Sequence, residues 1–496
     1  MTEPNSPTAR GGRASRWCAW RAGRCATPPT SGTSADSPPT ARSSSSTPGA
    51  PGRAPSPPTP ARTAATGRSA TSEALRARLG LERIDLLGHS AGGNLATLYA
   101  AAHPGRIRSL VLVTSAGRAL GVTTTDEEWD AAAEVFADRH WYPEARAALD
   151  AIGPDAPLSR VHAIAAPFSY GRWDAAAREH AAAADRRTRW EAAGAHHGEG
   201  AYDPAATRRA LAALTAPVLV LAGEYDAGPT PAKAAEAAAL FPHAELLVQA
   251  GAGHHPWADD PDAFVRAVAA FLDPAVRTVA VDGVRLACRL AGPEDAPPVV
   301  LVHGRGENGT TWAEVAADLA ADHRVYALDL RGHGLSDRPG GYGFDAFRDE
   351  LGGFLKALGL TGATVVARSM GAAAAYLLAR DEPGLVGRLV LEGPPVFFPL
   401  DPPRPVAERP EGPLDFDWEI VPATDARLND PDPDRRDRLA SITAPTLVLA
   451  GGPTSHVPQE RLSWPADRIP GARLVTVDAG HLFHTDRPTE FLSLIR

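Results

Sequence analysis

The sequence predicts an α/β chain: two mostly parallel sheets flanked by helices, one after the other, each interrupted by a lid insertion. Three observations lead there. At 496 residues the chain is too long for one hydrophobic core. Short Val/Leu-rich runs alternate with amphipathic stretches, the pattern of strands buried on both faces of a parallel sheet with helices as crossovers. The two halves also end alike, with TAPVLVLAG at 215–223 and TAPTLVLAG at 443–451, a repeat of a whole domain.

The strand runs of the first block, 71–273, fall at 84–87, 109–113, 218–221 and 245–248, with a helical lid over about 121–209. Those of the second block, 276–496, fall at 299–302, 325–328, 364–366, 388–391, 446–449 and 473–477. Asp282-Gly283 between alternating runs predicts a hairpin opening the second block. Residues 1–70 contain no Val, Ile, Leu, Phe, Tyr or Lys. Such a segment cannot bury enough apolar surface to offset its ordering entropy, so disorder is expected there.

Hydrophobic residues at 44% and charged residues at 22% are ordinary globular values. The net charge of −9 argues against a nucleic-acid partner, which needs a basic face. No apolar run approaches the roughly 18–20 residues that span a bilayer. The basic N-terminus lacks the apolar core of a signal peptide. Cys18, Cys25 and Cys288 supply neither a disulfide framework nor metal-ligand spacing. The expectation is a cytoplasmic protein acting on a small molecule, with no cofactor, no metal, no nucleic acid and no membrane.

Gly88-His89-Ser90-Ala91-Gly92 lies between a strand run and a helix beginning near Ala91. A nucleophilic serine needs that strained strand-to-helix turn, where the next amide, Ala91, can stabilise an oxyanion. Asp226 and His254 follow later strand ends in the chain order expected of the acid and base of a triad. A helix cap and a surface histidine are the plainer readings of those two, and His255 reads as a neighbour. In the second block, Ala367-Arg368-Ser369-Met370-Gly371 is the corresponding turn, with Ala in place of the first glycine. His303-Gly304-Arg305 offers the Arg305 amide, and Met370 the second, as an oxyanion hole. His481 is the expected base and His484 a bystander. The position matching Asp226 is Thr454, which cannot stabilise an imidazolium. Glu392, after the run 388–391, is either the acid or a solvated strand-end carboxylate.

These motifs resemble the α/β-hydrolase superfamily. Asp329-Leu330-Arg331-Gly332-His333-Gly334-Leu335-Ser336-Asp337 is similar to its signature turn, and residues 253–261 are similar to prolyl-aminopeptidase-like members. The resemblance implies two tandem α/β-hydrolase domains and serine hydrolysis of an ester, amide or lactone bond. It also implies that the first block lacks its leading strands, leaving the 84–87 strand an unpaired edge, because no oxyanion loop or Asp-x-Arg-Gly turn precedes its elbow. If the serines use TCN codons, a reading frame one nucleotide upstream turns Ser43–Ser46 into an apolar strand run, and codon degeneracy then permits Asp-Pro-Arg-Gly-Thr-Gly after it and His-Gly-Gly at 27–29. The segment thus reads as a frameshifted module start. The more complete second block is the expected working site. Because each block lacks one element, a non-catalytic pair binding small ligands is the alternative. Cofactor-free haloperoxidase-like or carbon–carbon bond hydrolase chemistry is another within the same superfamily.

Overall fold

The computed structural model describes residues 71–115, 117–153, 155–190, 201–433 and 438–496, together with the backbone of 17–21 and 43–45. The chain divides into two compact units, Met1–Val265 and Arg266–Arg496, each with its own sheet.

The first sheet contains β1 (Trp17–Arg21), β2 (Ser43–Ser45), β3 (Ile84–His89), β4 (Ile107–Val113), β5 (Val218–Gly223) and β6 (Ala244–Gln249), in the order β2-β1-β3-β4-β5-β6. Every neighbouring pair is parallel. Strands β3 and β5 are buried along their whole length, which is why β5 reads as an unbroken apolar run rather than an alternation; β3 is interrupted by the buried Asp85, which Arg108 and Ser109 of β4 answer. Helix α1 (Ala91–Ala102) follows β3 at once, and its Leu95 and Tyr99 join Ile84, Leu86, Leu110 and Val220 in the core. Between β4 and β5 lies the lid, with α2 (Asp126–Ala133), α3 (Tyr142–Asp150), α4 (Leu158–Ala165), α5 (Ala175–Arg187) and α6 (Pro204–Leu211). Phe136, Tyr142 and Phe168 form a small core of its own.

The expectation that the first sheet lacks its leading strands is corrected here. Strand β1 pairs with β3 over five positions, from Trp17↔Asp85 to Arg21↔His89, and β2 lies outside β1. A ladder is made by backbone N–H and C=O groups, which nearly every residue carries, so a segment without a strand-like side-chain pattern can still cover the free side of β3. Among the described residues, what the first sheet lacks is an antiparallel opening pair. The expectation of disorder for 1–16, 22–42 and 46–70 lies outside the described residues.

The second sheet contains β7 (Val276–Val281), β8 (Val284–Ala291), β9 (Pro298–Val302), β10 (Arg324–Leu328), β11 (Ala363–Arg368), β12 (Val386–Glu392), β13 (Thr446–Ala450) and β14 (Arg473–Thr476). Its order is β14-β13-β12-β11-β9-β10-β8-β7. Strands β7 and β8 form the expected antiparallel hairpin, and Asp282 and Gly283 take φ of 48° and 81°. Two positive φ values are what a tight primed turn demands. Helix α7 (Phe344–Ala357) and α8 (Ser369–Asp381) cover the sheet, α8 being buried from Met370 to Arg380. A short lid helix, α9 (Ile420–Asn429), lies between β12 and β13.

Both sheets change direction at the strand that carries an elbow serine: β3 lies between β1 and β4, and β11 between β9 and β12. Crevices at the carboxyl ends of such strands are where open α/β sheets bind ligands. Among the described residues no helix is long and apolar enough to cross a membrane, and no group of three His, Cys, Asp or Glu side chains is placed to hold a metal. Cys288 is buried, and loss of water pushes its thiol up to about 12.

Candidate active sites

In the first unit, Ser90 leaves β3 with φ of 54°, a conformation that costs a non-glycine residue energy and that packing must hold in place. Gly88 makes the turn possible: a Cβ there would lie 2.7 Å from the Gly92 carbonyl oxygen and 2.8 Å from Gly93 Cα. The turn thrusts Ser90 Oγ toward His254, whose Nε2 lies 2.9 Å away. On the other side of the ring, Nδ1 lies 2.8 Å from Asp226 Oδ2. With the buried Asp226 carboxylate accepting from Nδ1–H, Nε2 is left to accept from the serine hydroxyl. Asp226 is itself fixed, since its Oδ1 accepts the Gly228 N–H at 2.9 Å.

The histidine loop is pinned from three directions. The His254 amide donates to the Ser169 carbonyl of the lid at 2.9 Å. Its carbonyl accepts from His89 Nε2 at 2.9 Å and from Thr114 Oγ1 at 3.0 Å. The buried Asp259 carboxylate accepts the Gly253 N–H at 2.8 Å and the lid's Gly171 N–H at 3.1 Å, so one side chain ties the loop to the lid. Burial pushes the Asp259 carboxyl above its ordinary range. Sequence reading missed His89 and Asp259, although both stand inside motifs it quoted. Ser90, Asp226 and His254 open onto a cavity of about 670 Å³ whose lid wall carries Trp129, Phe168, Tyr170, Trp173 and Trp190. Ala91 opens α1 and lines the same cavity.

The second unit keeps the scaffold. Ser369 has φ of 47°. The signature turn is locked: Asp329 accepts the Gly309 and Leu335 amides, Ser336 Oγ donates to the Asp329 carbonyl at 2.6 Å, and Arg331 meets Glu350 at 2.8 Å. Arg368 takes the place of His89. It pairs with Glu307, and its Nε donates to the His481 carbonyl at 3.2 Å.

The relay, however, is not assembled. Among the described residues Ser369 Oγ has no hydrogen-bond partner, and His481 Nδ1 is buried without one. Glu392 is placed otherwise than as a partner of His481: its Oε2 meets His484 Nδ1 at 2.8 Å and its Oε1 accepts the His484 amide at 3.2 Å. His484, the expected bystander, is a buried group stacked on Trp312 at 4.0 Å. Thr454 reaches Asp478 rather than His481. His481 has a second imidazole beside it, His456, at 3.9 Å between ring centroids. Burial, the Arg368 guanidinium and His456 push His481 down to about 3. Such a base holds no proton at neutral pH and takes one only weakly.

Fold and elbows together define the class, and the chain belongs to the α/β-hydrolase fold family, whose model matches residues 43–261 and 297–420. An uncharacterised protein of Mycobacterium tuberculosis is 40% identical over 119 residues, 24% of this chain and 34% of that protein. A non-heme chloroperoxidase of Streptomyces lividans is 36% identical over 125 residues, 24% of this chain and 45% of that one. The chain therefore spans less than half the length of these curated relatives. Among solved structures, a hydrolase from Pseudomonas aeruginosa is 25% identical over 45% of this chain and 97% of its own, with a TM-score of 0.39.

Proposed function

We propose that the chain carries two α/β-hydrolase modules in tandem, and that the first is a serine hydrolase. Its reaction is cleavage of an ester, amide or lactone bond of a small molecule through an acyl-enzyme. The observation that carries this reading is the unbroken relay from Ser90 Oγ through His254 to Asp226, at 2.9 and 2.8 Å. His254 Nε2 takes the serine proton as Oγ attacks the carbonyl, and Asp226 stabilises the imidazolium so formed. The Ala91 amide, first of α1, faces the oxygen that becomes negative. Nε2–H then protonates the leaving group, and water, deprotonated by the same nitrogen, releases the acid. The aromatic lid suits an apolar acyl or leaving group. The likeness of 253–261 to prolyl-aminopeptidase-like members makes peptide amides one class to assay. Cytoplasmic residence without nucleic-acid or membrane partners belongs to the same proposal.

This reverses the preference for the second unit, where Ser369 lacks a competent base. A fluorophosphonate probe tests it on the full chain. Labelling and p-nitrophenyl ester hydrolysis should vanish in Ser90→Ala and persist in Ser369→Ala. Label on Ser369 alone would overturn the assignment.

A further inference from the structure

The second unit keeps a strained elbow whose histidine is unpartnered at Nδ1, and it carries cationic groups near that histidine that hydrolysis does not use. Arg305 Nη1 and Arg404 Nη1 both lie 2.7 Å from the same oxygen, Asp425 Oδ1. Thr424 Oγ1 accepts from the same Arg305 nitrogen at 3.1 Å. One carboxylate between two guanidiniums leaves a positive charge over. Each guanidinium has five N–H donors, and among the described residues neither side chain has any further hydrogen-bond acceptor. They are about one-third exposed, at 29% and 36%. Arg404 is also held in place, because Asn429 of α9 accepts its amide N–H at 2.7 Å and donates to its carbonyl at 3.0 Å.

The backbone that carries Arg305 runs against the elbow. Arg305 belongs to the oxyanion loop, and a Cβ on neighbouring Gly304 would lie 3.3 Å from Ser369 Cβ. Among the described residues its amide has no partner. Burial first, and then the charges of Arg404, Arg368 and Arg305, hold His456 below its ordinary range. His456 in turn lies beside His481, the two rings tilted at 54°. Deeper in, Arg368 is answered by Glu307, and Glu392 by His484. Asp425 is thus the carboxylate that faces the Arg305–Arg404 pair, and it is shared.

We propose that the second unit binds a small organic carboxylate, gripped by the free guanidinium edges of Arg305 and Arg404. Planar guanidiniums match a carboxylate's two oxygens, and partial exposure gives the ligand access. With no acid behind His481 among the described residues, the bound anion is held rather than turned over, so this site works independently of the hydrolase reading for the first unit.

The test uses the full chain bearing Ser90→Ala, so that the first site is silent. Binding of acetate, hexanoate and phenylacetate, of their three neutral amides, and of inorganic phosphate is measured by calorimetry. At least one carboxylate should bind roughly tenfold or more tighter than its amide, and Arg404→Met should weaken it by a similar factor. Asp425→Asn, which removes the competing anion, should tighten binding, a gain that misfolding cannot mimic. Three results would each overturn the proposal: carboxylates no better than amides, phosphate better than every carboxylate, or affinity unmoved by both substitutions.

Discussion

Asp226→Asn puts an amide where a carboxylate now accepts two hydrogen bonds, from Gly228 N–H at 2.9 Å and from His254 Nδ1 at 2.8 Å. An amide has one oxygen. If that oxygen stays on Gly228, its NH2 faces Nδ1, which must become the acceptor. The ring proton then moves to Nε2, and Nε2–H points at Ser90 Oγ and cannot take its proton. If the amide flips, two donors confront each other at Gly228, at a cost of about 1–3 kcal/mol for an unmet buried group. That bias favours the wrong tautomer by roughly 5- to 150-fold, taking about 1.4 kcal/mol per tenfold. The neutral amide also stabilises the imidazolium less, and the equivalent change in serine proteases costs about 10,000-fold in kcat. The expected loss is therefore about 1,000- to 10,000-fold in kcat, or ~4–5.5 kcal/mol of barrier, with KM little changed. Steady-state hydrolysis of a p-nitrophenyl ester in a Ser369→Ala background reads it. A loss below about tenfold, with Ser90 still required, would refute the relay.

Three further outcomes follow from the same geometry. Gly88→Ala forces a methyl against the Gly92 carbonyl and Gly93 Cα, an overpacking cost of about 1–3 kcal/mol that also displaces Ser90. Fluorophosphonate labelling should slow and the first unit's melting temperature should fall; unchanged values in both would count against the close packing. Asp259→Ala leaves the Gly171 and Gly253 amides without an acceptor, at about 1–3 kcal/mol each, and frees the His254 loop. It should lower kcat more than it raises KM, and wild-type rate and stability would deny it a positioning role. His481, ordinarily near 6.5, is depressed to about 3 when folded. Between those values the unfolded chain binds a proton that the folded chain refuses, so this contribution is present above pH 6.5 and is lost as pH falls. Denaturation of wild type against His481→Asn at pH 7 and at pH 4 should show the wild type losing more on acidification, whereas parallel slopes would dismiss the effect.

Local patterns carried much of the fold. Strands β5, β9, β11 and β13 stood out as apolar runs because both their faces are buried. The hairpin at Asp282-Gly283 was legible because only a few residue types tolerate two positive φ values. Both elbow serines were legible for a similar reason: a strained turn between strand and helix demands small residues at fixed spacing. Partnership between distant groups was another matter. Asp226 and Glu392 both read as strand-end carboxylates preceding a histidine. Tertiary structure gave the first to His254 and the second to His484, three residues beyond the expected base. Chain order says nothing of which ring a carboxylate will meet when two lie three residues apart on one turn. Nor did the sequence announce β1 and β2, whose pairing rests on backbone groups that carry no side-chain signature. The same holds for His456 beside His481 and for two arginines meeting on Asp425: side chains far apart in the chain become neighbours only when the sheet and its lid bring their elements together, and electrostatic character belongs to that neighbourhood rather than to any one residue.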